Sequence, residues 1–297
     1  MNISPVPKNS VLVIGSGYLG SSLALELRER DHCVVTADLQ GERADYKADV
    51  RNPVELQRLK NELQGKGFSP SWIVYSVSTR GGSVDEYRRI YVEGVSNLVR
   101  LFPEARLFFC SSTAVYGVAD GAWVTEEHSA NPVRPQSRVL LDGELIVRKA
   151  GGVVGRLSAL YGPGRCVLVE KYMLQGEALP GDPDRWVNYV HRDDAVSAMI
   201  HLMDATIPGG CFNITDMTPM RLREVYAFLS RLVDRPMPRF TEAHPSSRRG
   251  MTNQRISCSL LMSQGWEPLY LSVVDGVHNV LEDLEMKNDD LFPVRSC

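Results

Sequence analysis

The chain has 297 residues, a formal net charge of −3, 43% hydrophobic and 23% charged side chains. Those proportions exclude a disordered or collagen-like chain, and the charge excludes a global positive field that would hold a nucleic-acid backbone. At roughly 150 residues per domain, the length suggests two domains, or one large α/β domain with an appendage.

Met1 to Ser10 has one Lys, two Pro and no apolar stretch, unlike a secretory signal. Val11 to Ile14 is apolar on both faces and reads as a buried strand of a parallel sheet. Gly15 ends it far short of the roughly 18 apolar residues a bilayer span needs, and no later run reaches that length. Tyr18 to Arg30 carries Leu19, Leu23, Leu25 and Leu27 among charges, a helical pattern. Cys33 to Ala37 is a second strand, followed by Asp38. Pro53 to Leu63 is a helix with Pro near its first turn. Trp72 to Val77 is a strand, Val84 to Phe102 one long helix stopped by Pro103, and Leu107 to Cys110 a strand. Val139 to Arg148 is a helix and Val153 to Leu160 returns to strand character.

Strands separated by helices imply right-handed βαβ crossovers and a doubly wound parallel sheet of the α/β class. After Gly162 the texture changes. Pro163 to Arg185 is richer in Gly and Pro, and Arg221 to Leu232 and Val273 to Leu284 read as isolated helices. The expected division is residues 1–162 as the sheet domain and 163–297 as a smaller, mixed α/β C-terminal cap. The six cysteines, at 33, 110, 166, 211, 258 and 297, form no C-x-x-C and no metal spacing with His. They read as small buried hydrophobes in a reducing compartment, which points to the cytoplasm.

Gly15-Ser16-Gly17-Tyr18-Leu19-Gly20 fits G-x-G-x-x-G, and it follows a strand and opens a helix as a phosphate-binding turn requires. Gly15 permits the tight turn, Gly17 lets the backbone approach a pyrophosphate, and Gly20 allows close helix–strand packing. The helix N-terminus adds N–H donors and partial positive charge. Asp38, 18 residues after Gly20, can accept from both hydroxyls of a ribose and would repel a 2′-phosphate. That favours NAD, while Arg43 folding back would admit NADP. Asp49-Val50 suits contact with an adenine edge.

Further segments follow in order. They are Ser111-Ser112-Thr113-Ala114-Val115-Tyr116-Gly117, Arg156-Leu157-Ser158-Ala159-Leu160-Tyr161-Gly162-Pro163-Gly164, and Tyr189-Val190-His191-Arg192-Asp193-Asp194-Ala195. Cys211-Phe212-Asn213-Ile214 and Gly265-Trp266-Glu267-Pro268 complete the set. With the glycine loop, these resemble the extended short-chain dehydrogenases of the NAD-dependent epimerase/dehydratase type over nearly the whole chain. The resemblance implies a Rossmann-like domain binding a nicotinamide cofactor and a C-terminal subdomain closing on substrates that are often nucleotide sugars. It implies a cofactor set of Gly15, Gly17, Tyr18, Leu19, Gly20, Asp38, Asp49, Val50, Val77, Arg138 and Leu157.

The family's chemistry uses a Ser or Thr, a Tyr acting as general acid/base, and a Lys four residues after that Tyr. Ser112 matches the Ser. Alignment on Asn131-Pro132 and the helix from Val139 puts Arg134 at the Tyr position and Arg138 at the Lys position, and no Tyr lies between Tyr116 and Tyr161. Arg, with a pKa above about 12, cannot exchange protons usefully at neutral pH, although Arg138 could still bind ribose hydroxyls. Tyr91 stands where the family usually has an Asn supporting the proton relay. An atypical subgroup of the family shares the Arg in the Lys position.

The catalytic candidates are therefore Ser112, Tyr116 and Arg138. Tyr116 lies nearest to Ser112 in sequence, with a packed ring as its competing role. Tyr91 reads as a core-facing aromatic, His128 as a loop imidazole of suitable pKa, and His191 as structural with Asp194 capping the next helix. Arg134, Arg165 and Arg185 could meet an anionic substrate. The pair Arg248-Arg249, beside Ser246 and Ser247, matches a region where family members often place an Arg on a diphosphate. Leu98, Leu101, Leu140 and Ile146 lie on helices that in the family commonly form a homodimer interface, or else face the sheet.

Two functional readings result. One is an NAD(P)-dependent oxidoreductase or epimerase/dehydratase-like enzyme acting on a small polar or sugar-like molecule with non-standard acid/base residues. The other is an NAD(P)-binding protein without hydride chemistry, such as a redox sensor or regulator. Neither involves a metal, nucleic acid or membrane.

Overall fold

The computed structural model describes residues 9–79, 81–175, 178–204, 207–242 and 252–287. The chain begins with β1 (Ser10–Ile14), α1 (Tyr18–Glu29), β2 (Cys33–Asp38), β3 (Tyr46–Lys47), α2 (Pro53–Gly65) and β4 (Trp72–Tyr75). A helical stretch in three parts follows: α3 (Val84–Arg88), a π-helical turn over Arg89–Gly94, and α4 (Val95–Leu101). Then come β5 (Arg106–Ser112), β6 (Trp123–Val124), α5 (Pro135–Lys149), β7 (Val153–Leu157), β8 (Ala159–Tyr161), α6 (Val167–Gln175) and β9 (Ala178–Pro180). The remainder is β10 (Trp186–Val187), β11 (Tyr189–His191), α7 (Arg192–Asp204), β12 (Gly210–Ile214), β13 (Met220–Arg221) and α8 (Leu222–Leu232). It closes with β14 (Arg239–Thr241), β15 (Arg255–Ile256), α9 (Ser259–Ser263) and α10 (Val273–Lys287).

Seven strands make one sheet in the order β12-β7-β5-β4-β1-β2-β3. β1 runs parallel to β2 and β4, β2 to β3, and β4 to β5. The fold is thus Rossmann-like α/β. From β1 the chain winds outward to β2 and β3, then returns to the other side through β4 and β5. The reversal between β1 and β4 leaves a crevice beyond their carboxyl ends, where such sheets bind ligands. The hydrophobic run Val11–Ile14 is fully buried, as a strand covered on both faces requires.

The chain forms two compact units that interleave. The first comprises residues 1–115, 132–156 and 196–212, and the second 116–131, 157–195 and 213–297. The expected boundary after Gly162 lies close to one crossing, at Arg156/Leu157, but the chain also crosses at Val115/Tyr116, Asn131/Pro132, Ala195/Val196 and Phe212/Asn213. The second unit has its own core, in which Tyr161, Tyr172, Val225, Tyr226 and Val277 pack together.

Several local expectations change for physical reasons. The strand expected over Val153 to Leu160 is two strands. β7 belongs to the main sheet, β8 pairs with β11, and Ser158 between them donates its hydroxyl to Thr215 Oγ1 at 2.9 Å. β4 ends at Tyr75 rather than Val77, because after Ser76 N–H donates to Ile14 O (2.9 Å) the chain leaves the ladder. On α1 the buried stripe is Leu19, Leu23 and Leu27 with Gly20 and Ala24, while Leu25 is exposed, as the 3.6-residue period dictates. Leu98 and Leu140 are buried within the unit, whereas Leu101 and Ile146 are half-buried. The long helix expected from Val84 is interrupted by a π turn, within which Ile90 O accepts from the Tyr75 hydroxyl on β4 at 2.7 Å.

Candidate functional site

The glycine loop is shaped as its spacing required. Gly15 N–H donates to Ala37 O at 2.8 Å, and Gly15 has φ +101°, a conformation that favours glycine. A Cβ on Gly20 would stand 2.0 Å from Gly15 O, so no side chain fits there. A Cβ on Gly17, in contrast, would meet nothing within 4 Å. Gly17 is the N-cap of α1 without a side-chain capping bond, and the first turn, Tyr18 and Leu19 included, holds no acidic residue. The helix N-terminus therefore has no side-chain cap from Gly17 and open space beside that residue, an arrangement that suits an anion. Ser16, only 4% exposed, keeps a buried hydroxyl without a hydrogen-bond partner in the same loop. A buried polar atom left unpaired costs about 1–3 kcal/mol, so the loop gains when a ligand oxygen or a water pairs with it. These features fit a dinucleotide pyrophosphate.

Asp38 ends β2 as expected. Its Oδ1 accepts from Gln40 N–H (2.9 Å) and Gly41 N–H (2.5 Å), which turns the loop and leaves Oδ2 for a ribose hydroxyl. Arg43 on that loop is exposed. Asp49 is held by Arg51, whose Nε and Nη2 both reach its carboxylate (2.7–3.0 Å), and this bidentate bond keeps the carboxyl pKa below its usual value. Val50 is buried and accepts from Asn97 Nδ2 through its carbonyl (3.4 Å). Ser76 and Val77 pass directly beneath Gly15: a Cβ there would lie 2.9 Å from Ser76 C and O and from Val77 N. Ser76 Oγ donates to Gly15 O at 2.7 Å.

On the other side of the crevice, Ser112 ends β5 half-buried, and its Oγ accepts from Ala114 N–H at 3.2 Å. Arg134 is the extended N-cap of α5, followed by Pro135 at the first helical position. Arg138, in the first turns of α5, is exposed and donates from Nε to Pro132 O at 3.4 Å. A buried network below these groups had no sequence signal. Ser111 Oγ donates to Glu144 Oε1 (2.6 Å), and Arg156 binds both oxygens of Glu144 from Nε and Nη2 (2.7–3.2 Å). It ties α5, which carries Arg134 and Arg138, to β5 and β7. Only the fold brings residues 111, 144 and 156 together.

The second unit holds the remaining candidates. Tyr116 is 1% exposed and its hydroxyl donates to Asn213 Oδ1 at 2.7 Å. Asn213 is itself buried and donates from Nδ2 to Ser257 O at 3.1 Å. This geometry packs the Tyr116 ring and commits its hydroxyl. Leu157 is buried at the end of β7. His128 is exposed and its Nδ1 accepts from Thr125 N–H at 3.1 Å. Arg165 is exposed in a tight turn closed by reciprocal Gly162–Arg165 backbone bonds of 2.9 and 3.0 Å. Arg185 is half-buried, with Nε shielded and without a hydrogen-bond partner. Its neighbour Trp186 has the guanidinium groups of Arg221 and Arg255 at 4.6 and 5.1 Å from its ring centre. Ser246, Ser247, Arg248 and Arg249 lie outside the described residues.

His191 is buried and structural, its Nδ1 accepting from Asp193 N–H at 3.2 Å. Asp194 does not cap α7. Its two oxygens accept from Leu269 and Tyr270 N–H (2.7 and 3.0 Å), because it sits inside the helix's first turn facing that loop. Burial raises its pKa, and raises that of the fully enclosed Asp216 much further.

A parallel sheet with a glycine loop at the start of α1 and an acidic residue ending β2 defines a Rossmann-like α/β protein. The sequence model of the NAD dependent epimerase/dehydratase family matches residues 11–215, and the chain belongs to that family. It is 28% identical over 253 residues to Protein YeeZ of Escherichia coli strain K12, covering 80% of this chain and 89% of that one. It is 25% identical over 187 residues to the decarboxylating sterol-4-alpha-carboxylate 3-dehydrogenase of Schizosaccharomyces pombe, covering 55% of this chain and 54% of the other. Among solved structures, the dTDP-glucose 4,6-dehydratase of Bacillus anthracis in complex with NAD superposes with a TM-score of 0.78 at 19% identity, over 95% of this chain and 98% of that one.

Proposed function

We propose that this protein is an NAD-dependent oxidoreductase of the epimerase/dehydratase type acting on a small polar or sugar-like substrate. One observation carries the reading: the open space at Gly17, which gives α1 no side-chain cap, with the orphaned Ser16 hydroxyl in the same loop. The NAD held by the Bacillus anthracis dehydratase and the dehydrogenase activity of the Schizosaccharomyces pombe relative support it. Bound NAD supplies a nicotinamide ring that accepts or returns a hydride. The N–H groups of Gly17, Tyr18 and Leu19 bind the pyrophosphate, and Asp38 Oδ2 accepts from a ribose hydroxyl. Arg43 leaves NADP as the competing cofactor. Asp49 and Val50 would serve the adenine end, Val77 would line the cofactor, and Arg138 would donate to the nicotinamide ribose. Ser112 Oγ–H polarises the substrate oxygen. Arg134, the N-cap of α5, would attract its anionic group. With Arg at both dyad positions and the Tyr116 hydroxyl committed to Asn213, the proton moves through solvent water at Ser112 Oγ.

The test is calorimetric titration with NAD, NADH and NADPH, followed by absorbance at 340 nm with a panel of nucleotide sugars and small carbonyl compounds. Micromolar binding and turnover that falls at least tenfold in Ser112→Ala are expected. The same lack of a phenolic acid/base favours a second reading, a dinucleotide-binding regulator without hydride chemistry. Tight NAD binding with no turnover across the panel, and a Ser112→Ala variant as functional as the parent, selects that reading.

A further inference from the structure

Two tyrosines exchange hydrogen bonds between β4 and the helical stretch that follows. Tyr75 Oη, on β4, donates to Ile90 O at 2.7 Å. Tyr91 Oη, on the π turn, donates back to Val77 O at 3.2 Å, just beyond β4. Both rings are buried, and Thr79 lies beside the Tyr91 hydroxyl. The Ile90 carbonyl that Tyr75 meets lies within the π turn. Two glycines clear the space. A Cβ on Gly94 would lie 2.9 Å from Tyr75 Oη, and one on Gly143 of α5 would lie 2.5 Å from Tyr91 O.

The Val77 carbonyl is one link from the glycine loop. Ser76 Oγ donates to Gly15 O, and the Ser76–Val77 peptide is the surface on which Gly15 rests. Tyr91 Oη, Val77 O, the 76–77 peptide and Gly15 therefore form one chain of direct contacts. Packing alone does not need the hydroxyl, because the Tyr91 ring meets Phe109 edge-on at 6.2 Å and Tyr87 at 5.2 Å, contacts that phenylalanine keeps. Burial pushes the Tyr91 phenol up to about 12, so it stays a donor at all physiological pH.

We propose that Tyr91 is a positioning residue for the dinucleotide: its hydroxyl holds the Val77 carbonyl, and through the 76–79 segment it fixes the glycine loop in its binding conformation. The inference rests on the NAD reading of that loop. Tyr91 touches no reacting atom in this scheme and is not an acid or base.

The test compares Tyr91→Phe and Thr79→Ala with the parent by three measurements: NAD affinity by calorimetry, backbone hydrogen exchange of residues 76–79, and thermal midpoint. The expected result for Tyr91→Phe is a five- to tenfold loss of NAD affinity and faster exchange confined to 76–79, with a midpoint within about 2 °C of the parent. Thr79→Ala repeats both effects more weakly. Unchanged affinity and exchange overturn the inference. So does a fall in midpoint that carries affinity down with it while exchange rises throughout the unit, since that is a packing defect. A parent protein that does not bind NAD overturns the proposed function as well, whereas a parent that binds and a Tyr91→Phe variant that binds equally overturn the positioning role alone.

Discussion

Gly17 and Gly20 look alike in the sequence but are constrained by opposite conditions: Gly20 has no room for a side chain, while Gly17 has open space where a ligand would lie. Gly17→Val should therefore fold, with a thermal midpoint near that of the parent, yet lose NAD binding at least a hundredfold in calorimetry. Tyr116 shows how a sequence neighbour of Ser112 can be drawn into packing. Tyr116→Phe removes the 2.7 Å bond to Asn213 and leaves a buried acceptor unpaired, so it should cost about 1–3 kcal/mol in denaturant unfolding without changing the pH profile of any turnover. A shifted profile would restore the ring as an acid/base. Asp216 gives a prediction with a pH sign. Burial raises its folded-state pKa far above the ordinary value of about 3.9. Below pH 4 both folded and unfolded states hold the proton, and as pH rises the unfolded chain ionises first, so stability is lost. Asp216→Asn should raise the thermal midpoint by a few degrees at pH 7.5, and the gain should vanish toward pH 4. A gain independent of pH would show that the charge is not the cause.

At the scale of elements, periodicity was enough wherever a segment's partners were generic. α1, α2 and α8 run where the apolar spacing put them, and β1 is buried as a continuous apolar run requires, while β2 is buried only at Thr36 and Ala37. The failures fall where one distant side chain decides. The helix from Val84 holds a π turn whose Ile90 carbonyl meets Tyr75, and the strand from Val153 divides at Ser158, whose hydroxyl meets Thr215. Neither is visible from a window of neighbouring residues. α5 is an intermediate case: Pro135 marks its start, but its seating on the sheet depends on Glu144 between Ser111 and Arg156. Removing one member of such a buried pair leaves an uncompensated charge. Glu144→Leu should thus lower stability by about 3–5 kcal/mol in urea unfolding, whereas the double variant Glu144→Leu with Arg156→Met should recover much of it. Equal loss in both would mean that packing, not charge, dominates there.

For the whole molecule, the order of strands matters more than their number. The reversal from β2 and β3 back to β4 places the glycine loop, Asp38, Val77 and Ser112 at one end of one sheet. If that end binds NAD, saturation should stabilise the folded chain by mass action, about 2.7 kcal/mol at a hundredfold excess over Kd, read as a rise of several degrees in thermal midpoint. Gly17→Val should show no rise. No helix among the described residues is long and apolar enough to cross a membrane. By itself the sequence determined the α/β class, the family and the cofactor loop, because turn glycines, apolar runs and the acid after β2 act through chemistry local to a few residues. Only the tertiary structure decided that the Tyr116 hydroxyl is bound to Asn213, that Asp194 holds a loop instead of capping a helix, and that Tyr75 and Tyr91 exchange bonds across a π turn. Those outcomes depend on partners 14 to 97 residues away along the chain, which burial brings within hydrogen-bond reach and no local pattern records.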